Sequence, residues 1–129
     1  MATESVLGLL GLARRGGRLV CGEENVSALV AEGRARAIFI ANDCGGAALR
    51  SLLRHDERVP VLTMSCGREE LGHAVGVPGC IAVAVSDMGL AAAAAEKLAQ
   101  VCKSNEKAAA RVQAKKAYID SRKGWKKQK

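Results

Sequence analysis

Two short stretches carry the residue types that can recognise a ligand. In Val20-Cys21-Gly22-Glu23-Glu24-Asn25-Val26 an apolar run ends at a glycine, and acidic and amide side chains follow. If a strand ends and a helix begins there, first-turn N–H groups can receive an anionic oxygen, while a carboxylate or amide beside them can read donors on a base edge. Arg14, Arg15 and Arg18 come shortly before and can neutralise phosphate beside this turn. Glu23 and Glu24 repel a phosphate placed too near, and they also have the simpler use of stabilising a first helical turn. The second stretch is Leu71-Gly72-His73-Ala74-Val75-Gly76-Val77-Pro78-Gly79. Its glycines permit a close turn, Val75 and Val77 can cover an extruded base, and His73 offers a polar edge. Either stretch alone also fits ordinary turn packing. Placed on one side of a fold, the two can test the shape of a bent RNA, which takes converging loops rather than one linear motif.

Other chemistry has less support. Asp43 and Asp87 each follow a strand candidate, where an α/β enzyme gathers its ligands, but neither belongs to a paired acidic cluster, and turn or capping roles are expected for both. His55 and His73 lack a sequence neighbour that would set a catalytic tautomer or a metal spacing. Cys21, Cys44, Cys66, Cys80 and Cys102 are odd in number and form no CxxC pair, so they read as small packing residues rather than a disulfide framework or zinc cluster. No catalytic residue, metal site or cofactor is expected.

The elements that must position the two stretches are legible as alternating apolar segments. Val6, Leu7, Leu10 and Ala13 form one face of a helix over residues 4–14, which Gly16 and Gly17 interrupt. A strand over 18–21 leads to a helix over 23–32, with Gly33 as its stop. Strand–helix units follow at 37–41 and 47–54, at 59–64 and 66–76, and at 80–85 and 87–100. Such alternation favours an α/β sandwich whose helices cover both faces of a sheet.

With 129 residues, 49% of them hydrophobic, the chain fits one small domain. Phe39, Tyr118 and Trp125 are its aromatic residues, too few for recognition by rows of stacking platforms. The net charge of +7 is asymmetric, because residues 1–102 hold 10 Lys or Arg against 11 Asp or Glu, whereas 103–129 hold 10 against 2. Residues 1–102 are therefore expected to form the sandwich, and 103–129 a basic extension that is partly helical or disordered. Its Lys103, Lys107, Arg111, Lys115, Lys116, Arg122, Lys123, Lys126, Lys127 and Lys129 are expected to add phosphate attraction more than selectivity. The stretch from Glu106 to Ile119 can be helical, Val112 and Ile119 can dock it on the core, and order is expected to fade from Gly124. No basic segment precedes the first apolar residues and no apolar run reaches the ~18 residues of a membrane helix, so a soluble cytoplasmic protein without membrane contact is expected.

Three segments in combination, Gly11-Leu12-Ala13-Arg14-Arg15-Gly16-Gly17-Arg18-Leu19-Val20, Gly22-Glu23-Glu24-Asn25-Val26 and Arg68-Glu69-Glu70-Leu71-Gly72-His73-Ala74-Val75-Gly76, resemble the RNA-binding ribosomal-protein family that includes archaeal L7Ae and eukaryotic L30e, especially its small bacterial homologues. The resemblance spans about residues 4 to 102. It implies a three-layer α-β-α sandwich with a four-stranded mixed sheet, here followed by the basic C-terminal extension. It also implies non-catalytic recognition of structured RNA, commonly a kink-turn whose sharp bend exposes noncanonical purine pairs. Gly22 would then offer its backbone to the bent RNA, and the loop from Val75 through Gly79 would cover a flipped nucleotide. In familiar kink-turn readers an Asn-Glu pair begins two residues after the corresponding glycine, and a Lys sits three residues beyond that Glu. Here Glu24, Asn25 and Ala28 stand at those places, so acid and amide are exchanged and no ammonium is present.

The expected RNA-contacting set is Arg14, Arg15, Arg18, Gly22, Glu23, Glu24, Asn25, His73, Val75, Val77, Pro78 and Gly79, with the extension as auxiliary phosphate ligand. The expected partners are structured RNA, ribosomal RNA among the candidates, and ribosomal or other ribonucleoprotein components. The alternative is a protein-interaction or assembly module that attracts RNA nonspecifically through its basic tail. A small enzyme built on Asp43 and Asp87 ranks third.

Overall fold

The computed structural model describes residues 2–127, with side chains over 4–121. Its elements run α1 (Ala2–Arg15), β1 (Leu19–Cys21), α2 (Glu23–Ala31), β2 (Ala37–Ile40), α3 (Gly46–Leu53), β3 (Val61–Thr63), α4 (Arg68–Val75), β4 (Ala82–Val85), α5 (Met88–Val101) and α6 (Glu106–Lys127). The strands form one mixed sheet in the order β1-β4-β2-β3. β4 is antiparallel to both β1 and β2, whereas β2 and β3 are parallel.

Strand alternation divides the core into two layers. Phe39, Leu62, Val83 and Val85 face one side, where they meet Leu10 of α1, Leu71 of α4, Leu98 of α5 and Val112 of α6. Ile38, Ile40, Ala82 and Ala84 face the other side and meet Val26 and Leu29 of α2 and Leu52 of α3. The expected three-layer sandwich is thus formed, with both sheet faces covered and the central strands β2 and β4 fully buried. Small residues at Ala91, Ala92, Ala94 and Ala95 line the buried side of α5 and let neighbouring helices approach it closely.

Packing continues past Cys102, where the composition turns basic. Ala109 and Val112 are buried in the core, and Asn105 is only 3% exposed. Asn105 Oδ1 accepts from the Thr63 N–H at 2.9 Å, and its Nδ2 donates to the Thr63 carbonyl at 2.8 Å. Thr63 lies on the open edge of β3, so one buried amide replaces the missing neighbouring strand. Asp56 accepts from the Val61 N–H two residues earlier on that edge, and Arg111 of α6 holds Asp56 at 2.9 Å. α6 therefore belongs to the sandwich through its first two turns, and the helix continues through Gly124 to Lys127. The side chains of Arg122, Lys123, Trp125, Lys126 and Lys127, and all of Lys129, lie outside the described residues.

Asn105→Ala strands a donor and an acceptor on β3. At about 1 kcal/mol for each lost bond plus desolvation of the orphaned groups, it should reduce unfolding free energy by roughly 2–4 kcal/mol. Urea unfolding checks this, and a loss under about 0.5 kcal/mol would mean that the β3 edge is held by something else.

Candidate nucleic-acid interface

The register of β1 against β4 decides where the two glycine-rich stretches meet. Cys21 lies opposite Val83, and Gly22 donates its N–H to the Ala82 carbonyl at 2.9 Å. In an antiparallel pair, the turn that follows β1 and the turn that precedes β4 must emerge at the same end of the sheet. The Gly22 turn and the Val77–Gly79 turn are therefore neighbours. Gly22 has φ +93°, a backbone position that glycine takes without strain. Gly76 closes α4 in the left-handed conformation at φ +75°, and Gly79 at φ +68° completes the return into β4.

The two turns also rest on one thiol pair. Cys21, just before Gly22, and Cys80, just after Gly79, are both buried, and each thiol influences the ionisation of the other. This interaction brings the Cys80 thiol down to about 7 against the opposing effect of burial, and holds the Cys21 thiol far above its usual range. Backbone groups of Ala82 and Gly22 add to the lowering at Cys80, whose Sγ also lies 3.2 Å from the Ala82 carbonyl.

α2, α3 and α4 all begin at this end, and no side chain of the preceding residue caps α2 or α3. The first turns of α2 and α3 thus turn their N–H groups and positive dipole ends outward. Glu24 and Asn25 are exposed on α2. Asn25 Nδ2 donates to the Cys21 carbonyl at 2.8 Å, which fixes the side chain and leaves its oxygen as an acceptor. Together with the Glu24 carboxylate it gives this surface exposed hydrogen-bond acceptors, the chemistry that receives amino-group donors. Across the end, Pro78 and Gly79 are exposed, and with His73 they line a cavity of ≈ 350 Å³.

Two expected contacts lie elsewhere. Val75 is 3% exposed and packs in the core with Leu71, because the helical spacing of four puts both on the inner face of α4. The surface of the turn is left to half-buried Val77, Pro78 and Gly79. Arg18 precedes β1 and so stands at the opposite end of the sheet, where it meets Asp87 at 2.7 Å. Arg14 is close enough for its charge to favour both thiolates, and Arg15 lines a groove of ≈ 540 Å³ between α1 and α4 together with His73. Glu23 is half-buried in the first turn of α2.

The carboxylates Asp43 and Asp87 point apart. Asp87 caps α5 through the Leu90 N–H at 2.8 Å, at the far end of the sheet. Asp43, at the same end of the sheet as Gly22, accepts the Arg68 N–H at 2.9 Å and so holds the start of α4, a helix distant in sequence. They share no cleft, which removes the carboxylate-pair enzyme. His55 meets the Ser27 hydroxyl at 3.1 Å, burial pushes the Cys44 and Cys66 thiols up, and no metal-binding cluster occurs among the described residues.

The extension is not a uniform array of free donors. Lys103 and Lys107 are exposed near the Asn105 anchor, Arg111 is tied to Asp56, and Lys116 pairs with Asp120 at 2.6 Å. Lys115 lies over the Tyr118 ring, 5.8 Å from its centre. Among the described residues no helix is long and apolar enough to cross a membrane.

Comparison with known proteins agrees with this geometry. The model of the "Ribosomal protein L7Ae/L30e/S12e/Gadd45 family" matches residues 4–95. A solved structure from Bacillus halodurans, of a protein with unknown function, is similar over 72% of this chain and 95% of its own, with 30% identity and a TM-score of 0.68. The Giardia lamblia 15.5kD RNA binding protein has a similar fold, with a TM-score of 0.62 and 22% identity, over 78% of this chain and 87% of its own. No curated protein matches the sequence.

Gly72 is a positioning residue that the sequence does not single out among its neighbours. A Cβ there would collide with the Val77 carbonyl oxygen and stand 2.9 Å from the Gly79 nitrogen, both backbone atoms of the Val77–Gly79 turn. Gly72→Ala should cost about 1–3 kcal/mol of stability and displace that turn, whereas Gly8→Ala, with nothing within 4 Å, should be neutral or stabilising. Thermal melts of the two variants test the contrast, and equal melting temperatures would contradict it.

Proposed function

Because the chain belongs to the ribosomal protein L7Ae/L30e/S12e/Gadd45 family, we propose that it is a non-catalytic reader of bent RNA, acting in the cytoplasm on a kink-turn or similar fold within the ribosome or another ribonucleoprotein. The observation that carries this reading is the shared position of the Gly22 turn and the Val77–Gly79 turn at one end of the sheet. A straight duplex offers one groove to one loop. A sharply bent RNA can place exposed base edges against Glu24 and Asn25 and an unstacked nucleotide against Val77, Pro78 and Gly79, so the protein selects for shape.

The chemistry is that of acceptors meeting donors. The Glu24 carboxylate and the remaining Asn25 oxygen suit the amino groups of guanine and adenine, which noncanonical purine pairs expose. Outward N–H groups of α2 suit a phosphate oxygen at the bend. Ala28 supplies no ammonium, so phosphate neutralisation falls to Arg14, Arg15 and the basic extension. Ribosomal RNA is the candidate target, in company with ribosomal or other ribonucleoprotein partners.

Replacing Glu24 and Asn25 together by Ala should reduce the preference for a kink-turn hairpin over a straight duplex by at least about tenfold, since one good base contact contributes roughly 1–3 kcal/mol of discrimination. Affinity for the straight duplex should change little. Competition binding at fixed salt measures both. An unchanged preference, or tight binding of a protein partner that RNA does not compete away, would overturn the reading.

A further inference from the structure

At the sheet end opposite the two glycine turns, cations gather from the segments that precede the strands and from α6. Strand order brings them into a row, with Arg18 before β1, Arg34 and Arg36 before β2, and Arg58 before β3. Arg18, Arg34, Arg36 and Ser86 line a cavity of ≈ 400 Å³ beside the Gly16–Gly17 turn. Arg36, Arg58, Arg111 and Lys115 line another of ≈ 210 Å³. Arg36 lines both, so the two cavities adjoin and together make a basic trough along the end of a four-stranded sheet, a span of about 14 Å at the usual strand spacing. α6 completes it. Val112 and Asn105 dock this helix on the core, which fixes Arg111 and Lys115 beside arginines distant in sequence.

Three acids near this end are already engaged, whereas Glu57, beside Arg58, forms no ion pair among the described residues. Asp87 binds Arg18 and caps α5, Asp56 binds Arg111 and the β3 edge, and Glu32 lies 3.5 Å from Arg34. Among the described residues Arg36, Arg58 and Lys115 form no ion pair. The lining has guanidinium and ammonium groups with no aromatic platform, which suits phosphate rather than bases.

We propose that this trough is a second RNA site, one that grips the phosphate backbone of a duplex, so that the protein holds two RNA segments at opposite ends of its sheet. The bridging part rests on the RNA-reading function proposed above, whereas duplex binding by the trough does not. A bend-reading end and a sequence-independent end would let one molecule fix the position of a helix relative to a kink.

The test uses the full chain and the Arg36→Ala/Arg58→Ala variant, with thermal melts to establish that both are folded. In one arm a straight RNA duplex is titrated over a range of salt concentrations. The variant should bind about tenfold more weakly at low salt, with a log–log salt slope shallower by roughly 1.8 for two lost contacts. In the other arm a kink-turn hairpin is immobilised and saturated with protein, and a labelled duplex is added. The wild type should capture the duplex, and the variant should lose capture while holding the hairpin within about twofold of wild-type affinity. Unchanged duplex binding in the variant would overturn the proposal. So would loss of hairpin and duplex binding in equal proportion, which would indicate a single site, or displacement of the duplex by polyglutamate more readily than by RNA, which would indicate an acidic protein ligand. A hairpin bound no better than a straight duplex would defeat the bend-reading function while leaving the first arm to decide the trough.

Discussion

The antiparallel pairing of β1 with β4 is the constraint on which the recognition end depends. Gly22 is bonded to Ala82 and Cys21 pairs with Val83, so the turn leaving one strand must lie against the turn entering the other. Either turn alone is a common loop. Their adjacency turns a glycine with φ +93°, two exposed acceptors and a Pro-Gly return into a surface with two sides. The buried strands β2 and β4 hold this arrangement from behind, since a shift of one residue in register would exchange the Phe39 and Ile38 layers of the core.

The second constraint is the exposed edge of β3. Asn105 and Asp56 satisfy its outward N–H groups, and Arg111 steadies Asp56. This arrangement gives the basic extension a structural role in its first turns. Truncation at Cys102 would remove the anchor from Thr63 and Val112 from the core, so it would change stability as well as charge. The extension's positive charge is also divided in space, with Lys103 near the recognition side of the β3 edge and Arg111 and Lys115 toward the far end.

The layers of this fold were legible because apolar runs such as Ala37-Ile38-Phe39-Ile40 and Ala82-Val83-Ala84-Val85 can be satisfied only by burial on both faces. The two turns were legible from their glycines. The fate of individual side chains was less so. Val75 belongs to a segment that reads equally as loop or helix, and only helical phase sends it inward beside Leu71. Arg18 is three residues from Cys21 in sequence but a whole strand away in space, and Asp87, its partner, is distant in the chain. Asp43 capping α4, Asn105 closing β3 and the meeting of Arg36 with Arg58 and Lys115 are all long-range pairings for which local pattern carries no signal.

The central claim is that one bent RNA touches both turns at once. Its most direct measurement is the amide NMR spectrum of isotope-labelled protein titrated with a kink-turn hairpin. The account predicts that amides of residues 22–25 and 77, 79 and 80 shift together and saturate at the same RNA concentration. Shifts in one segment alone, or two segments saturating at different concentrations, would contradict it.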